Sequence, residues 1–315
     1  MAKYVFKRFL AAIPVLFVVS VVVFMIIHLT PGDPARVMLG DQALETDVEA
    51  LREDLGLNEP LVVQYINWIT GVFHGDLGTS LFMDGSMSSI ILEHLYPTIA
   101  LSFIALLIAV IIAIPCGILA ATKKGRIADT LVMSGSMAGI SVPNFLLGLL
   151  LIIVFAVNLH LFPASGYVPL SDGIGEFFKY ITLPAVALGL MHAALITRMT
   201  RSSMLEVLNS DYIKMAKAKG VGSRKILYVH ALKNASLPIL TIIGQSMMSL
   251  LAGALVTERV FNIPGIGQLV INSINRRDYE VVQAVVLVIA LINVFVMLLV
   301  DVLYGCIDSR VKANK

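Results

Sequence analysis

In a chain of 315 residues, 58% are hydrophobic and only 14% are charged. A soluble domain carries roughly 45–50% apolar and about 25% charged residues, so much of this surface faces something other than water. The net charge of +2 by itself carries no nucleic-acid signal, and what informs is how charge is distributed along the chain.

The N-terminus, residues 1–8, is basic (Lys3, Lys7, Arg8) and precedes a charge-free run, Phe9–Ile27. A signal-peptide core is shorter, about 7–15 residues, and no small-x-small cleavage site follows, so residues 9–29 read as a retained first span. Five more stretches free of Asp, Glu, Lys and Arg meet the need for about 20 mostly apolar residues. They lie within Leu95–Thr122 and Thr130–Leu159, and at Ile181–Thr197, Ala235–Thr257 and Val281–Val300. The fourth is short, contains His192, and is expected to extend by one turn into flanking polar residues. Cys116 and Cys306 fall in or at the end of these runs and read as small buried hydrophobes, not as a disulfide or metal pair. The expectation is an all-α integral membrane protein with six transmembrane helices, residues 95–315 forming its core.

Between the first two spans, residues 30–94 form the largest loop, acidic and opening on the turn-rich Thr30-Pro31-Gly32-Asp33-Pro34. Two helices are expected in it. In Pro60–Phe73, the apolar Val62, Tyr65, Ile66, Ile69, Val72 and Phe73 recur at helical spacing. A helix lying on the membrane interface and one packed into a core both fit, and Trp68 is compatible with either.

The cytosolic candidate is residues 198–234. Asn209-Ser210-Asp211 offers an N-cap cluster and Gly220 a stop for a short helix, Tyr212–Lys219. Ser223 is expected to cap a second helix, Arg224–Ala235, leading to Pro238. A passive connector needs only about two to eight residues, so this pair reads as a docking surface.

Basic residues set direction. With the N-terminus inside, the inner segments hold 17 of the 23 basic and 5 of the 21 acidic residues, +12 inside against −10 outside. That bias places both termini in the cytoplasm.

Within the spans only His192 and the terminal Asp301 are ionisable, and Asn144, Gln245 and Asn293 are polar but neutral. An ion-coupled carrier normally shows more intramembrane charge, so that reading is disfavoured. No H-E-x-x-H, G-x-S-x-G or phosphate-cradling G-x-x-x-x-G-K-[ST] occurs, so the chain is not expected to be an enzyme. Ser134–Gly139 and Ser141-Val142-Pro143-Asn144 permit close approach and a local kink in the third span. They suit a path-lining helix or tight packing equally. Ser141, Pro143, Asn144, Gln245 and Asn293 are the candidate path residues.

These residues resemble the inner-membrane permeases of the peptide/nickel class of ABC importers, over essentially the whole chain. Most specific is Asp211-Tyr212-Ile213-Lys214-Met215-Ala216-Lys217-Ala218-Lys219-Gly220, followed by His230-Ala231-Leu232-Lys233-Asn234-Ala235 and Pro238. It is similar to the family's cytoplasmic EAA loop, with Lys214-Met215-Ala216 where the general pattern has Glu-Ala-Ala. Gly75-Asp76-Leu77-Gly78-Thr79-Ser80, the run from Glu258 through Pro264 to Gly267, and Arg277-Asp278-Tyr279-Glu280 add to it. The resemblance implies a type I importer permease fold (MetI-like). It implies coupling to ATPase chains through Asp211, Tyr212, Ala216, Ala218, Lys219, Gly220, His230 and Asn234. It also implies an extracytoplasmic gate or binding-protein dock at Glu258, Phe261, Pro264 and Gly265.

No cofactor or metal is expected on this chain; ATP and Mg would sit on two ATP-binding partner subunits. The other implied partners are a second, C-type permease (the long first loop marks this chain as B-type), an external solute-binding protein and the bilayer of a bacterial inner membrane. No nucleic acid is among them. Implied cargo is dipeptides or oligopeptides, with glutathione, nickel or a metal chelate as alternatives. The spans hold no His/Cys/carboxylate cluster, which disfavours a bare metal ion. The competing readings are an ion-coupled secondary carrier and a membrane scaffold that carries no solute.

Overall fold

The computed structural model describes residues 2–29, 33–40, 42–54, 56–80 and 82–307, and every regular element among them is helical. The expectations placed on residues 30–32, on the side chains of Lys3, Lys7 and Cys306, and on Asp308, Arg310, Lys312 and Lys315 fall outside what is described.

The first span is α1 (Ala2–Leu29), with Pro14 inside it. The following loop holds three helices, not two: α2 (Pro34–Leu39), α3 (Glu45–Asp54) and α4 (Leu61–Phe73). The unforeseen one, α2, is short, starts at Pro34 and is capped by the Asp33 side chain. Next, α5 (Met87–Thr122) begins well before Leu95, because Ser86 caps it by accepting from the Ser89 amide.

The third span is broken, not locally kinked. Here α6 (Ile127–Ser141) and α7 (Asn144–Leu151) meet at 99°, and α7 continues as a π-helical segment, Ile152–Asn158. A proline kink inside a helix is far gentler. The reason is that Val142, preceding Pro143, takes an extended conformation (φ −87°, ψ 122°), which stops α6 outright. Among the described residues five helices are long and apolar enough to cross a membrane, six spans when the bent pair is counted as one.

The fourth span, α8 (Ile174–Leu208), runs 35 residues, far more than one extra turn. At 1.5 Å per residue that is about 52 Å, against an apolar thickness of about 30 Å. No breaker follows Thr197, and Thr200, Ser203 and Met204 give the extension a buried face, so α8 projects beyond the bilayer.

At its end sit α9 (Asp211–Ala218) and α10 (Ser223–Lys225). From α10 the chain passes through a π-helical turn, Ile226–Ala231, into α11 (Leu232–Gly253). The expected second cytosolic helix is therefore the first part of one continuous helix, Ser223–Gly253, because nothing between Ser223 and Pro238 interrupts helical backbone. Its N-cap is Gly222; Ser223 is the first helical residue and makes no cap bond. The chain closes with α12 (Leu255–Val260), α13 (Ile266–Arg276) and α14 (Tyr279–Ile307).

The core is organised on α5 and α8, which run side by side in the same direction. A Cβ on Gly189 would lie 2.7 Å from the Ala105 carbonyl oxygen, and one on Gly117 2.5 Å from the Thr200 side chain. Absent side chains thus let two long helices touch backbone to backbone at both ends of the seam, as small residues do where water gives no apolar driving force. Around this seam lie one apolar cluster toward the start of α8 (Leu101, Ile181, Leu188, Leu250, Phe261) and another toward its end (Ile196, Met204, Ile213, Ile226, Ile239). The first and last spans pair through Arg8 and Asp301, 3.2 Å apart.

Candidate coupling site and the brace at the opposite end

The coupling candidate begins where α8 leaves the apolar core. Arg201 donates from Nε to Asp129 Oδ1 at 2.6 Å and from Nη2 to Oδ2 at 2.7 Å, and Asp129 Oδ2 also accepts from the Gly125 amide at 2.9 Å. This fork ties the turn between α5 and α6 to the far end of α8.

Ten residues later α9 starts. Ser210 is its N-cap residue, but its hydroxyl donates back to the Val207 carbonyl at 2.5 Å and caps no amide. The other end is built as the glycine pattern predicts. The Val221 amide donates to the Ala216 carbonyl at 3.1 Å and the Gly220 amide to the Lys217 carbonyl at 3.0 Å, with Gly220 at φ +77°. These are the paired bonds of a Schellman motif, which a left-handed glycine closes without a Cβ penalty.

Ile213 is fully buried in the inner apolar cluster with Met204, Ile226 and Ala231, and pins α9 to the body. Tyr212 and Met215, on the other side, are exposed, as are Asp211, Ala218, Lys219 and Gly220; Ala216 is half-buried. His230 and Asn234 lie one turn apart in the continuous helix, the Asn234 amide nitrogen donating to the His230 carbonyl at 2.8 Å. Tyr228 and Val229 are exposed beside them.

At the opposite end, Glu258 is completely buried. Thr98 of α5 donates its hydroxyl to Glu258 Oε1 at 2.6 Å and accepts from the Ile266 amide at 2.9 Å. Glu258 Oε2 accepts from the Gly267 and Gln268 amides at 2.9 and 3.2 Å. One carboxylate therefore ties α5, α12 and the N-terminus of α13 together. Burial pushes the carboxyl above the ordinary carboxylate range, while the Thr98 hydroxyl and the two amides pull it down. Phe261 and Gly265 are buried too, and Pro264 alone of the four expected gate residues is exposed. Geometry makes this motif an internal brace, since three of its four side chains or backbones have no outward face.

Comparison with known proteins decides the family. Residues 113–313 match the family described as "Binding-protein-dependent transport system inner membrane component", and residues 1–102 match its N-terminal counterpart. The chain belongs to this family. It is a multi-pass membrane permease component and not an enzyme. The permease is 41% identical to the "Probable peptide ABC transporter permease protein y4tP" of Sinorhizobium fredii, over 99% of this chain and 100% of the relative. It is 43% identical to the "Dipeptide transport system permease protein DppB" of Alkalihalophilus pseudofirmus (99% and 100%). It is 39% identical to the "Glutathione transport system permease protein GsiC" of Escherichia coli O6:H1 (99% of each). Among solved structures, the inward-facing MetNI methionine ABC transporter superposes with a TM-score of 0.59 at 18% identity, covering 72% of this chain and 100% of that chain. That likeness shows the MetI-like fold.

The five candidate path residues are not gathered in one cavity of this permease subunit. Ser141, Pro143 and Asn144 sit at the elbow between α6 and α7, whereas Gln245 is on α11 and Asn293 on α14. Gln245 is exposed, and Asn144 Oδ1 and Asn293 Oδ1 have no hydrogen-bond partner. An apolar cavity of about 440 Å³ beside the elbow is lined by Cys116, Ser136, Gly139, Val142 and Thr197 among others, and by none of the five. His192 is buried with Nδ1 unpaired.

Some residues that build the candidate site were not singled out by the sequence. Ile213 lies inside the Asp211–Gly220 run but carries no signal beyond being an apolar residue in a charged helix. The pairing of Asp129 with Arg201 spans 72 residues and has no local signature.

Proposed function

We propose that this permease moves peptides inward as one of two different permease halves, driven by two ATP-binding subunits and fed by an external solute-binding protein, with both its termini in the cytoplasm. The observation carrying the proposal is α9: a short helix held by Ile213 at the protruding end of α8, closed by Gly220, and presenting uncovered Tyr212 and Met215. Exposed aromatic and methionine side chains on a rigid support are what a partner groove recognises. ATP and Mg belong to that partner.

When the ATPase pair closes, the pull on α9 passes to α8. The Asp129–Arg201 fork then carries it to α5 and α6, and the helices rock as rigid bodies while the brace around Glu258 keeps the opposite end of α5 and α13 together. Asp211, Lys219, His230 and Asn234 flank the contact. Peptide cargo follows the relatives' names, and glutathione, itself a peptide, is the second reading, supported by the E. coli relative.

The test is reconstitution in vesicles with the partner subunits and a Met215→Cys variant. ATP-dependent dipeptide uptake and a cross-link from position 215 to an ATP-binding chain are expected. Uptake by this chain alone under an ion gradient would establish the carrier reading instead.

A further inference from the structure

No residue of α4 (Leu61–Phe73) is charged. One face rests on the first span. The Tyr65 ring lies 6.4 Å from that of Phe17 and 5.4 Å from that of Phe24, and the Trp68 ring lies 5.8 Å from Phe24. The Tyr65 and Ser20 hydroxyls share a hydrogen bond of 2.7 Å, and His28 Nε2 pairs with Gln64 Oε1 at 3.0 Å.

These partners give the depth of α4. Ser20 is close to the middle of the charge-free run Phe9–Ile27. At 1.5 Å per residue, Phe24 lies about 9 Å past that middle, still within the roughly 15 Å half-thickness of the hydrocarbon. A helix that reaches Ser20 with a tyrosine and Phe24 with a tryptophan lies beside the apolar layer, not in water above it.

In hydrocarbon each polar group must find a partner inside the protein, and those of α4 have one, Asn67 Nδ2 reaching Glu59 Oε2 at 3.4 Å. Gln64 Nε2 donates to the Leu57 and Glu59 carbonyls at 3.1 and 2.7 Å, and Thr70 Oγ1 donates to the Ile66 carbonyl at 2.6 Å. The other face is mostly apolar and bare: Val62, Ile66 and Phe73 are exposed beside Thr70, Phe73 by 83%. On the first span, which α4 packs against through Tyr65 and Phe17, Phe17, Val18 and Val22 are exposed as well.

We infer that α4 is a further membrane-embedded element, lying in the outer leaflet with the face Val62, Ile66 and Phe73 against lipid acyl chains. The inference rests on the cytoplasmic N-terminus proposed above, which puts this loop outside. The bare apolar face of a helix packed at this depth against a transmembrane helix is covered by the same solvent that covers that helix. On this view α4 anchors the first span sideways and holds the acidic α3 segment close to the membrane surface.

The complete importer, reconstituted in liposomes, tests it with a nitroxide at Ile66→Cys on a chain carrying Cys116→Ala and Cys306→Ala. Collision with lipid-soluble oxygen is expected to exceed collision with a water-soluble nickel chelate several-fold, matching a label at Val22→Cys. Access to the nickel chelate would mean α4 lies in water, and protection from both reagents would mean another protein subunit covers it; either result overturns the inference. Labelling of Asn58→Cys in intact cells by an impermeant thiol reagent checks the sidedness separately, so a failure of orientation is told apart from a failure of depth.

Discussion

Arg201 grips Asp129 with two parallel N–H···O bonds of 2.6 and 2.7 Å, at the point where α8 has left the apolar core and α6 begins. The two residues lie on different helices, and the same carboxylate receives the Gly125 amide from the turn after α5. Three helices are thus joined immediately before α9, the place where a pull on α9 must be shared if α5 and α6 are to move with α8.

Arg201→Lys keeps the charge and loses the fork. ATP-driven uptake is expected to fall by about tenfold, the usual scale of one charge-assisted hydrogen bond, while the ATP-binding chains still co-purify. Asp129→Asn should behave alike. Uptake equal to the parent in both variants would remove the fork from the transmission path.

The brace gives a stability prediction. A Cβ on Gly265 would overlap the Glu258 carboxylate, which cannot swing away because Thr98 and two amides hold it. Gly265→Ala is therefore overpacked and should destabilise by about 1–3 kcal/mol, read as a lower melting temperature in detergent. Glu258→Gln replaces one acceptor oxygen by a donor amide that faces donors, so it should be destabilising as well, by about 1–3 kcal/mol for each group left unpaired. An unchanged melting temperature in Glu258→Gln would show that the buried bonds contribute nothing net.

At α9 the two faces separate cleanly. Tyr212→Ala and Met215→Ala remove exposed side chains and should weaken binding of the ATP-binding chains by about tenfold or more without changing membrane insertion. Gly220→Val adds a β-branched side chain at φ +77°, a strain of roughly 1–2 kcal/mol, and should abolish uptake by redirecting the chain after α9. Ala216→Glu is expected to do the same, because Ala216 is half-buried and a carboxylate does not fit there. Pull-down assays and uptake on the same membranes separate these effects, and full uptake by Gly220→Val would exclude the proposed role of the cap.

How much of this could be read from residues alone follows the range of each interaction. Charge-free runs gave the spans, and Gly220 gave the end of α9, because both signals are local. The 99° elbow was not readable, since Pro143 permits anything from a kink to a full stop and the packing of α7 chooses. Nor was the length of α8, which depends on buried Thr200 and Met204 finding partners on other elements. Glu258 showed as a motif residue but its burial did not, because its partner Thr98 is 160 residues away.

The Ser80 hydroxyl does three things at once. It donates to Asp278 Oδ2 at 2.7 Å, and it accepts from the Phe82 and Met83 amides at 3.2 and 3.0 Å. One hydroxyl can make only one donor bond and accept two, so this group is saturated. Next to it, the Thr79 amide donates to Glu280 Oε2 at 2.9 Å, and so the segment leading into α5 is tied to the turn that opens α14. Ser80→Ala deletes all three bonds with little change of shape and should destabilise the tie by about 1–3 kcal/mol. The readout is faster hydrogen exchange at Thr79, Phe82 and Met83, and Ser80→Thr, which keeps the hydroxyl, should restore slow exchange. If Ser80→Ala left those amides as protected as in the parent, the tie would be held without Ser80, by the Thr79–Glu280 bond, the Arg276–Phe82 contact and the packing of Leu77 and Met83 around Val281 and Val285.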